Sequence, residues 1–279
     1  MSLAPAATLL AEAAAAGRAL AAFNVITLEH AQAVTAGAAA VGAPVVLQVS
    51  QNAVAHHGGA PAPLAAALTA LAEAAPTPVA LHLDHVTEDA LLRQAPAAGF
   101  GSVMFDASRL PYAANLAATA EAVRFGHAHG LLVEAELGRV GGKPADAHTP
   151  GVRTDPDQAA AFVRDTGVDA LAVAVGSRHA MRERTARLDH ALIGRLRAAA
   201  GVPLVLHGSS GVPDAELRRA VAAGMTKINV GTALNRAMTG AVRAHLLAHP
   251  EQTDPRPCLR AGREAMTAEV TRLLTVLGA

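Results

Sequence analysis

The segment "VPLVLHGSSGVPDAELRRAVAAGMTKINV", residues 202–230, decides the predicted fold. It begins with a short apolar run, passes through a loop of glycine and serine, continues with charged residues at helical spacing and ends on a second apolar run. Apolar runs without polar alternation are typical of parallel strands that are buried on both faces. The segment is therefore predicted to form a β-strand, a loop, an α-helix and a second, parallel strand.

The same pattern recurs along the whole chain. Ala-rich stretches that begin with Thr or Asp and end with Gly, as capped helices do, separate the apolar runs. Eight such units of about 30 residues predict an α/β fold, a (β/α)₈ TIM barrel in one domain over residues 1–279. A doubly wound open sheet uses the same elements, but the length favours the barrel. The last stretch, residues 257–278, predicts an additional C-terminal helix. The predicted strands are residues 20–25, 44–50, 78–84, 102–106, 131–137, 169–175, 202–208 and 226–230.

Composition excludes several classes of partner. The 279 residues include 23 acidic and 23 basic side chains, so the formal net charge is zero and neither nucleic acid nor an anionic membrane is an expected partner. Cys258 is the one cysteine and cannot form an intrachain disulfide or a thiolate zinc cluster, which predicts a reducing compartment. The sequence shows no long apolar span and no secretory pattern at its start, so a cytoplasmic protein is expected.

Side chains suited to catalysis or ligand binding lie at the ends of the predicted strands. In a (β/α)₈ barrel the carboxyl ends of the strands meet on one rim, which is where active sites lie. We therefore expect these residues to face one another across the mouth of the barrel. They are Asn24, Gln48, Ser50, His82, Asp84, His85, Glu134, Glu136, His179, His207, Asn229 and Thr232.

Histidines at the ends of strands 3, 6 and 7 have the donor chemistry of a catalytic zinc site with an open position. A single strand-end histidine is more often a hydrogen-bonded structural residue, but "LHLDH", residues 81–85, packs two imidazoles and a carboxylate together. Strand periodicity places His82 and Asp84 on one face. His85 reaches that face only if the chain turns there.

Two glycine-containing loops follow strands 7 and 8, the frequent phosphate position in barrels. "HGSSG", residues 207–211, offers glycine backbone and serine hydroxyls ahead of a helix, and "NVGT", residues 229–232, precedes another helix. The alternative for each loop is an ordinary βα turn. A metal beside a phosphate site suggests aldol chemistry on a phosphorylated carbonyl compound. A Schiff base is the other route, and Lys227 is expected near the start of strand 8, at the wrong end of the barrel.

The chain resembles the class II, metal-dependent aldolases of fructose and tagatose bisphosphates. The resemblance runs from about Ala21 to the C-terminal helix, with the motifs in the family's order. It implies a homodimer or homotetramer that reversibly joins dihydroxyacetone phosphate to an aldehyde. The matching segments are "AFNV", "LHLDH", "GFGSVMFDAS", "VEAELGRVGG", "LHGSSGVPDAELRRAVAAGMTKINVGTAL" and "DPRPCL".

The resemblance also implies individual roles. The zinc ligands are His85, His179 and His207, and Asp84 exchanges a proton with the C4 oxygen of the sugar. Glu136 and His82 match positions that can take a second metal or support the first. Asn229 holds the dihydroxyacetone portion, and a monovalent cation, Na⁺ or K⁺, is expected near the phosphate. The substrate- and phosphate-binding candidates are Asn24, Gln48, Ser50, Ala180, Gly208, Ser209, Ser210, Asn229, Gly231 and Thr232.

Two departures from the family pattern affect the expected activity. The loop after "GG" lacks its usual glutamate, and Asp146 is the hypothetical substitute that moves a proton at C3. Ala180 stands where the family has glycine, while Arg178, Arg182 and Arg184 could recognise a second phosphate or another acidic group. Fructose 1,6-bisphosphate is the expected substrate. The alternatives are a tagatose bisphosphate, a deoxy-ketogluconate phosphate, or a catalytically silent protein that binds sugar phosphates.

Overall fold

Eight parallel strands form a closed barrel in the computed structural model, which describes residues 2–138, 152–178, 181 and 183–278. Each strand pairs with the next along the chain, and the last pairs with the first. This confirms the predicted (β/α)₈ barrel, while the single domain over residues 1–279 stays a prediction. The strands are β1 Leu20–Asn24, β2 Val45–Ser50, β3 Val79–Val86, β4 Ser102–Phe105, β5 Leu132–Leu137, β6 Ala170–Val173, β7 Leu204–Leu206 and β8 Met225–Val230.

Helices surround the barrel. The predicted C-terminal helix packs against the helix that follows β1 and the helix that follows β8. Asp155 shows how a helix begins, because its side chain accepts a hydrogen bond from the Gln158 amide at 2.9 Å. The helices are α1 Ala6–Ala15, α2 Leu28–Val41, α3 Gln51–His56, α4 Ala62–Ala74, α5 Asp89–Leu92, α6 Tyr112–Ala128, α7 Pro156–Thr166, α8 His190–Ala200, α9 Asp214–Ala223, α10 Thr232–Ala248 and α11 Arg256–Leu277. Among the described residues, no helix combines the length and apolar character needed to cross a bilayer.

The interior of the barrel changes from apolar to polar along the strands. Helix α1 closes the amino-terminal end, where its Leu9 and Leu10 pack on a cluster of inward-facing alanines and valines. Successive inward positions lie two residues apart on a strand. On β3 they are Ala80, His82 and Asp84, so the polar groups begin above the apolar base and continue to the mouth.

Shortening an apolar side chain at the amino-terminal end of the barrel should destabilise the fold. Leu10 is buried against this cluster, so we expect Leu10→Ala to lower the free energy of unfolding by about 2–5 kcal/mol. Leu247→Ala is the matched control, because Leu247 is 77% exposed and its loss should change stability by less than about 0.5 kcal/mol. Urea denaturation of both variants measures the difference, and equal midpoints would contradict the assigned packing of α1.

Candidate active site

A cavity of about 410 Å³ opens at the carboxyl end of the barrel. Its volume lies in the range of small-molecule sites. Most of the sequence-predicted site residues line it: Asn24, Gln48, Ser50, Asp84, His85, Gly208, Ser209, Ser210, Asn229, Gly231 and Thr232. His82, Glu134, Glu136 and His207 are buried and are not among the lining residues. Asp146, His179, Ala180 and Arg182 lie outside the described residues.

The chain turns at His85, as its predicted role requires. His85 has a φ of +51°, in the left-handed region, and the pairing of β3 with β4 shifts register between Leu83 and Val86. A histidine tolerates this region better than a bulky or β-branched residue does. The irregularity interrupts the alternation of side chains, so that Asp84 and His85 both reach the cavity although they are neighbours in the sequence.

Asp106 orients the imidazole of His85. One oxygen of Asp106, Oδ2, lies 2.8 Å from His85 Nδ1, and the other accepts hydrogen bonds from the amide and the hydroxyl of Ser108. A carboxylate on the second nitrogen is the usual support for a metal-binding histidine. Sequence analysis gave Asp106 no role. The available signal was a carboxylate directly after the fourth apolar run, within the "GFGSVMFDAS" motif.

Asp84 is held by two amides on one oxygen only. Its Oδ2 accepts hydrogen bonds from Asn24 Nδ2 at 3.3 Å and Gln48 Nε2 at 3.2 Å. Its Oδ1 is buried and has no hydrogen-bond partner within the described part of the chain. Burial alone would raise the pKa of Asp84, but nearby basic groups, His85 foremost, outweigh it and lower the pKa to about 2. The carboxylate is therefore ionised at neutral pH and keeps one oxygen available for a ligand.

His207 lies between two carboxylates inside the barrel. Its Nδ1 is 2.9 Å from Glu136 Oε2 and its Nε2 is 3.1 Å from Glu134 Oε1. Burial alone would lower the pKa of His207, but the hydrogen bonds to both glutamates raise it to about 9. Glu136 thus contacts a predicted metal ligand, as a supporting residue would. A second metal at Glu136 stays a prediction.

Lys227 lies in the first half of β8, in register with Leu20 at the start of β1, which agrees with its expected place away from the mouth. Its buried Nζ donates to Glu134 Oε2 at 2.7 Å. Lys227 does not line the cavity. Its ammonium is engaged by a carboxylate, which disfavours a Schiff base with a ligand in the cavity.

His82 lies one inward position below Asp84. The hydroxyl of Ser102 donates to the carbonyl of Leu81 at 3.2 Å, so His82 Nδ1–H donates to Ser102 Oγ at 2.8 Å. Burial, reinforced by Lys227, lowers the pKa of His82 to about 3, and the ring is neutral. His82 is outside the cluster of metal-capable atoms described below, and its predicted support of a metal stays a prediction.

Asp84, His85 and His207 form one metal-capable group. One ligand atom from each lies within 4.8 Å of the others, and the two imidazole rings meet edge to face with centroids 4.8 Å apart. Imidazole nitrogen and carboxylate oxygen are donors that zinc accepts. The group fits a divalent metal, since both histidines have a carboxylate partner and Asp84 Oδ1 has no hydrogen-bond partner within the described residues.

The two glycine loops are joined to each other beside this group. Ser209 donates its hydroxyl hydrogen to the carbonyl of Asn229, and Ser210 Oγ accepts from the amide of Ala233 at 3.1 Å. Ala233 belongs to the first turn of α10, whose N-terminus favours an anion. Neither side-chain atom of buried Asn229 has a hydrogen-bond partner among the described residues. The adjacency predicted from sequence is therefore present.

Position 208 requires glycine because of its backbone conformation and because neighbouring atoms leave no space for a side chain. Its φ is +71°, and a Cβ atom there would lie 2.6 Å from the carbonyl carbon and oxygen of Arg178. The loop after β7 therefore packs directly against the loop after β6. Close approach of backbone without a side chain is the property that lets such loops surround a phosphate.

Comparison with known proteins agrees with this arrangement. The family model described as fructose-bisphosphate aldolase class-II matches residues 4–279. The chain belongs to the class II fructose-bisphosphate aldolase family.

Solved structures with the same fold include the YdjI aldolase from Escherichia coli K12. It is 33% identical to this aldolase with a TM-score of 0.87, and the match covers 99% of this chain and 97% of that chain. A protein from Coccidioides immitis, provisionally assigned as a fructose-1,6-bisphosphate aldolase, is 27% identical with a TM-score of 0.87 over 98% and 96% of the chains. Fructose-bisphosphate aldolase from Campylobacter jejuni is 24% identical with a TM-score of 0.83 over 97% and 93%, and it supports the fold.

The arginines around the aldolase site divide into two groups. Arg178 lines the cavity, and so does Arg109, to which sequence analysis gave no role. Arg184 does not line it, because its guanidinium donates to the carbonyl of Val212 at 2.8 Å and pairs with Asp214. These contacts do not favour the possibility that Arg184 recognises an acidic group of the substrate, which stays a prediction. Its contacts tie the segment before α8 to the start of α9.

A side chain at Gly208 should impair anion binding by the aldolase. We expect Gly208→Ala to weaken the binding of inorganic phosphate at least tenfold, because the new methyl group would displace the Arg178 backbone. Gly240→Ala is the control, since Gly240 lies in exposed helix α10 with no atom within 4 Å of the added Cβ. Isothermal titration with phosphate measures both variants. Unchanged phosphate affinity in Gly208→Ala would contradict the assignment of this loop.

Proposed function

We propose that this chain is a zinc-dependent aldolase that cleaves a ketose bisphosphate reversibly between C3 and C4. Fructose 1,6-bisphosphate is the first candidate, and its products are dihydroxyacetone phosphate and glyceraldehyde 3-phosphate. The observation that carries the proposal is the metal-capable group of Asp84, His85 and His207, of which Asp84 and His85 line the same cavity as the two joined glycine loops. The family membership supports the same reaction class.

Three histidines would hold the metal: His85, His207 and, from the sequence resemblance, His179. A zinc ion bound there supplies a Lewis acid that polarises the C2 carbonyl and stabilises the enolate left by cleavage. The histidines are suited to this duty because Asp106 and Glu134 each accept from one ring nitrogen, which fixes the orientation of the ring.

Asp84 moves the proton at C4. In the cleavage direction its carboxylate accepts the hydrogen of the C4 hydroxyl, and in condensation it returns that hydrogen to the aldehyde oxygen. Asn24 and Gln48 hold Oδ2 and leave Oδ1 for this exchange. The low pKa of Asp84 keeps the carboxylate ionised before the substrate enters. Proton transfer at C3 by Asp146 stays a prediction from the sequence.

The glycine loops hold the phosphate next to C1. Backbone amides near Gly208 and Gly231 and the N-terminus of α10 supply donors, while the unpartnered amide of Asn229 suits the hydroxyl and carbonyl groups of the dihydroxyacetone portion. A monovalent cation beside the phosphate stays a prediction, as do the homodimer or homotetramer and the cytoplasmic location.

The cavity has a cationic residue at the end remote from the loops. Arg109 follows β4, and in a ring of eight strands β3 and β4 lie opposite β7 and β8. A substrate whose phosphate occupies the loops and whose reacting carbons reach Asp84 extends toward Arg109. This favours an aldehyde half that ends in an acidic group. A second phosphate fits this requirement, and so does the carboxylate of a deoxy-ketogluconate phosphate.

The central test is cleavage of fructose 1,6-bisphosphate and tagatose 1,6-bisphosphate in parallel. Activity should disappear after chelation and return with zinc, and the ratio of the two rates names the preferred sugar. Asp84→Asn should lower kcat about 10²- to 10⁴-fold, because the proton acceptor is lost. Asp165→Asn, which changes an exposed carboxylate on α7, is the control and should retain full activity.

Other outcomes of this test point to other functions. Zinc-loaded protein that cleaves neither sugar, nor a deoxy-ketogluconate phosphate, would be a silent protein that binds sugar phosphates. Activity that survives chelation and is trapped by borohydride would instead indicate a Schiff base.

The role of Arg109 is tested with substrates that differ only at their far end. We expect Arg109→Met to raise KM for fructose 1,6-bisphosphate about 10- to 100-fold, the effect of one hydrogen bond to a charged group, and to leave fructose 1-phosphate unaffected. Arg124→Met removes an exposed arginine of α6 and serves as the control. Equal effects of Arg109→Met on both substrates would contradict the proposed contact between Arg109 and an acidic group at the far end of the substrate.

A further inference from the structure

A continuous polar chain runs from the middle of the barrel to the candidate metal group. Lys227 Nζ donates to Glu134 Oε2 at 2.7 Å, and Glu134 Oε1 lies 3.1 Å from His207 Nε2. The side chains of Glu134 and His207 are fully buried, and that of Lys227 is 5% exposed. Neither Lys227 nor Glu134 lines the cavity. They are connected to the metal-capable group through the ring of His207.

Packing alone does not account for this buried ion pair. Replacing such a pair with apolar residues of similar volume is often neutral or stabilising, because removing two charges from water costs about as much as their attraction returns. The inward positions of neighbouring β6 and β7, at Ala172 and Val205, are apolar and fill the barrel without polar partners. An apolar pair at 134 and 227 would suit the same interior.

The geometry of the chain has a specific effect on His207. Lys227 holds one oxygen of Glu134, which leaves the other oxygen to accept from Nε2. Glu136 is one inward position closer to the mouth than Glu134, and it contacts the other nitrogen, Nδ1. The ring is therefore held between Glu134 on its inner side and Glu136 on the side of the mouth, beside Asp84 and His85.

We propose that Lys227 and Glu134 are positioning residues that set the ring orientation of His207 for metal binding. The inference rests on the proposed function, since it takes a divalent metal as the occupant of the Asp84, His85 and His207 group. Glu134 acts through His207, and Lys227 acts through Glu134.

The test separates this role from a contribution to stability. The double variant Glu134→Leu with Lys227→Met removes both charges together, so that neither is left buried without its partner. Thr166→Ala is the control, because it removes a buried hydrogen bond, from Thr166 Oγ1 to the carbonyl of Phe162 at 2.6 Å, that lies outside the chain to His207. Three quantities are measured for each protein: the urea midpoint of the metal-free form, the zinc dissociation constant by chelator competition, and the absorption bands of the cobalt(II) form.

We expect the double variant to unfold near the wild-type urea midpoint but to bind zinc about 10- to 100-fold more weakly, the usual cost of losing a partner of a metal ligand. Its cobalt bands should shift, because the ring of His207 is no longer held in one orientation. Thr166→Ala should show wild-type zinc affinity and wild-type cobalt bands. A folded double variant with wild-type zinc affinity and cobalt bands would overturn the inference.

Failure of the proposed function gives a different pattern. Wild-type protein that binds zinc but cleaves no sugar phosphate contradicts the proposed reaction alone. Wild-type protein that binds neither zinc nor cobalt contradicts both proposals. If the double variant does not fold, Glu134→Gln replaces it in the same measurements. This substitution keeps the size of the side chain and weakens the acceptor, so a wild-type zinc affinity there would again overturn the inference.

Discussion

Eight parallel strands close on themselves, and every second side chain on each strand must therefore fill a space that bulk water does not reach. The structure meets this constraint with apolar residues at the end that α1 closes and with paired polar residues toward the mouth. The change occurs within a few residues on each strand, as the sequence Ala80, His82, Asp84 on β3 illustrates. The position of the active centre follows from this gradient.

Most polar side chains in the interior of the barrel have a hydrogen-bond or ion-pair partner. Glu134 and Glu136 face Lys227 and His207, His82 is satisfied at one nitrogen by Ser102, and Asp84 is held at one oxygen by two amides. Buried polar atoms without a hydrogen bond are rare in folded proteins, and those that occur are often explained by function. Among the described residues, the unpartnered side-chain atoms of this polar interior are Gln48 Oε1, His82 Nε2, Asp84 Oδ1 and both polar atoms of Asn229. Gln48, Asp84 and Asn229 line the cavity. Unused hydrogen-bonding capacity is thus concentrated where a ligand arrives.

The sequence predicted the eight strands, the extra helix and most cavity residues, because these depend on local patterns that the barrel then repeats. It overestimated β7, which spans Leu204–Leu206 and not residues 202–208. Pro203 lacks an amide hydrogen for a strand ladder, and Gly208 turns into the left-handed region. The carboxylate partners of Lys227 and Arg184 were not predicted, because they are 93 and 30 residues away in the sequence. Such pairs depend on strand register and loop packing, which a single sequence does not reveal.

The left-handed turn at His85 ties the candidate proton carrier and a candidate metal ligand to consecutive residues of one strand. Their separation is set by a single peptide unit, whose Cα atoms are about 3.8 Å apart, and not by the packing of separate elements. Changes in the surrounding loops can reshape the two ends of the cavity without altering the spacing between these two groups. A barrel built in this way can acquire new sugar specificities through loop mutations while its reaction chemistry is inherited unchanged.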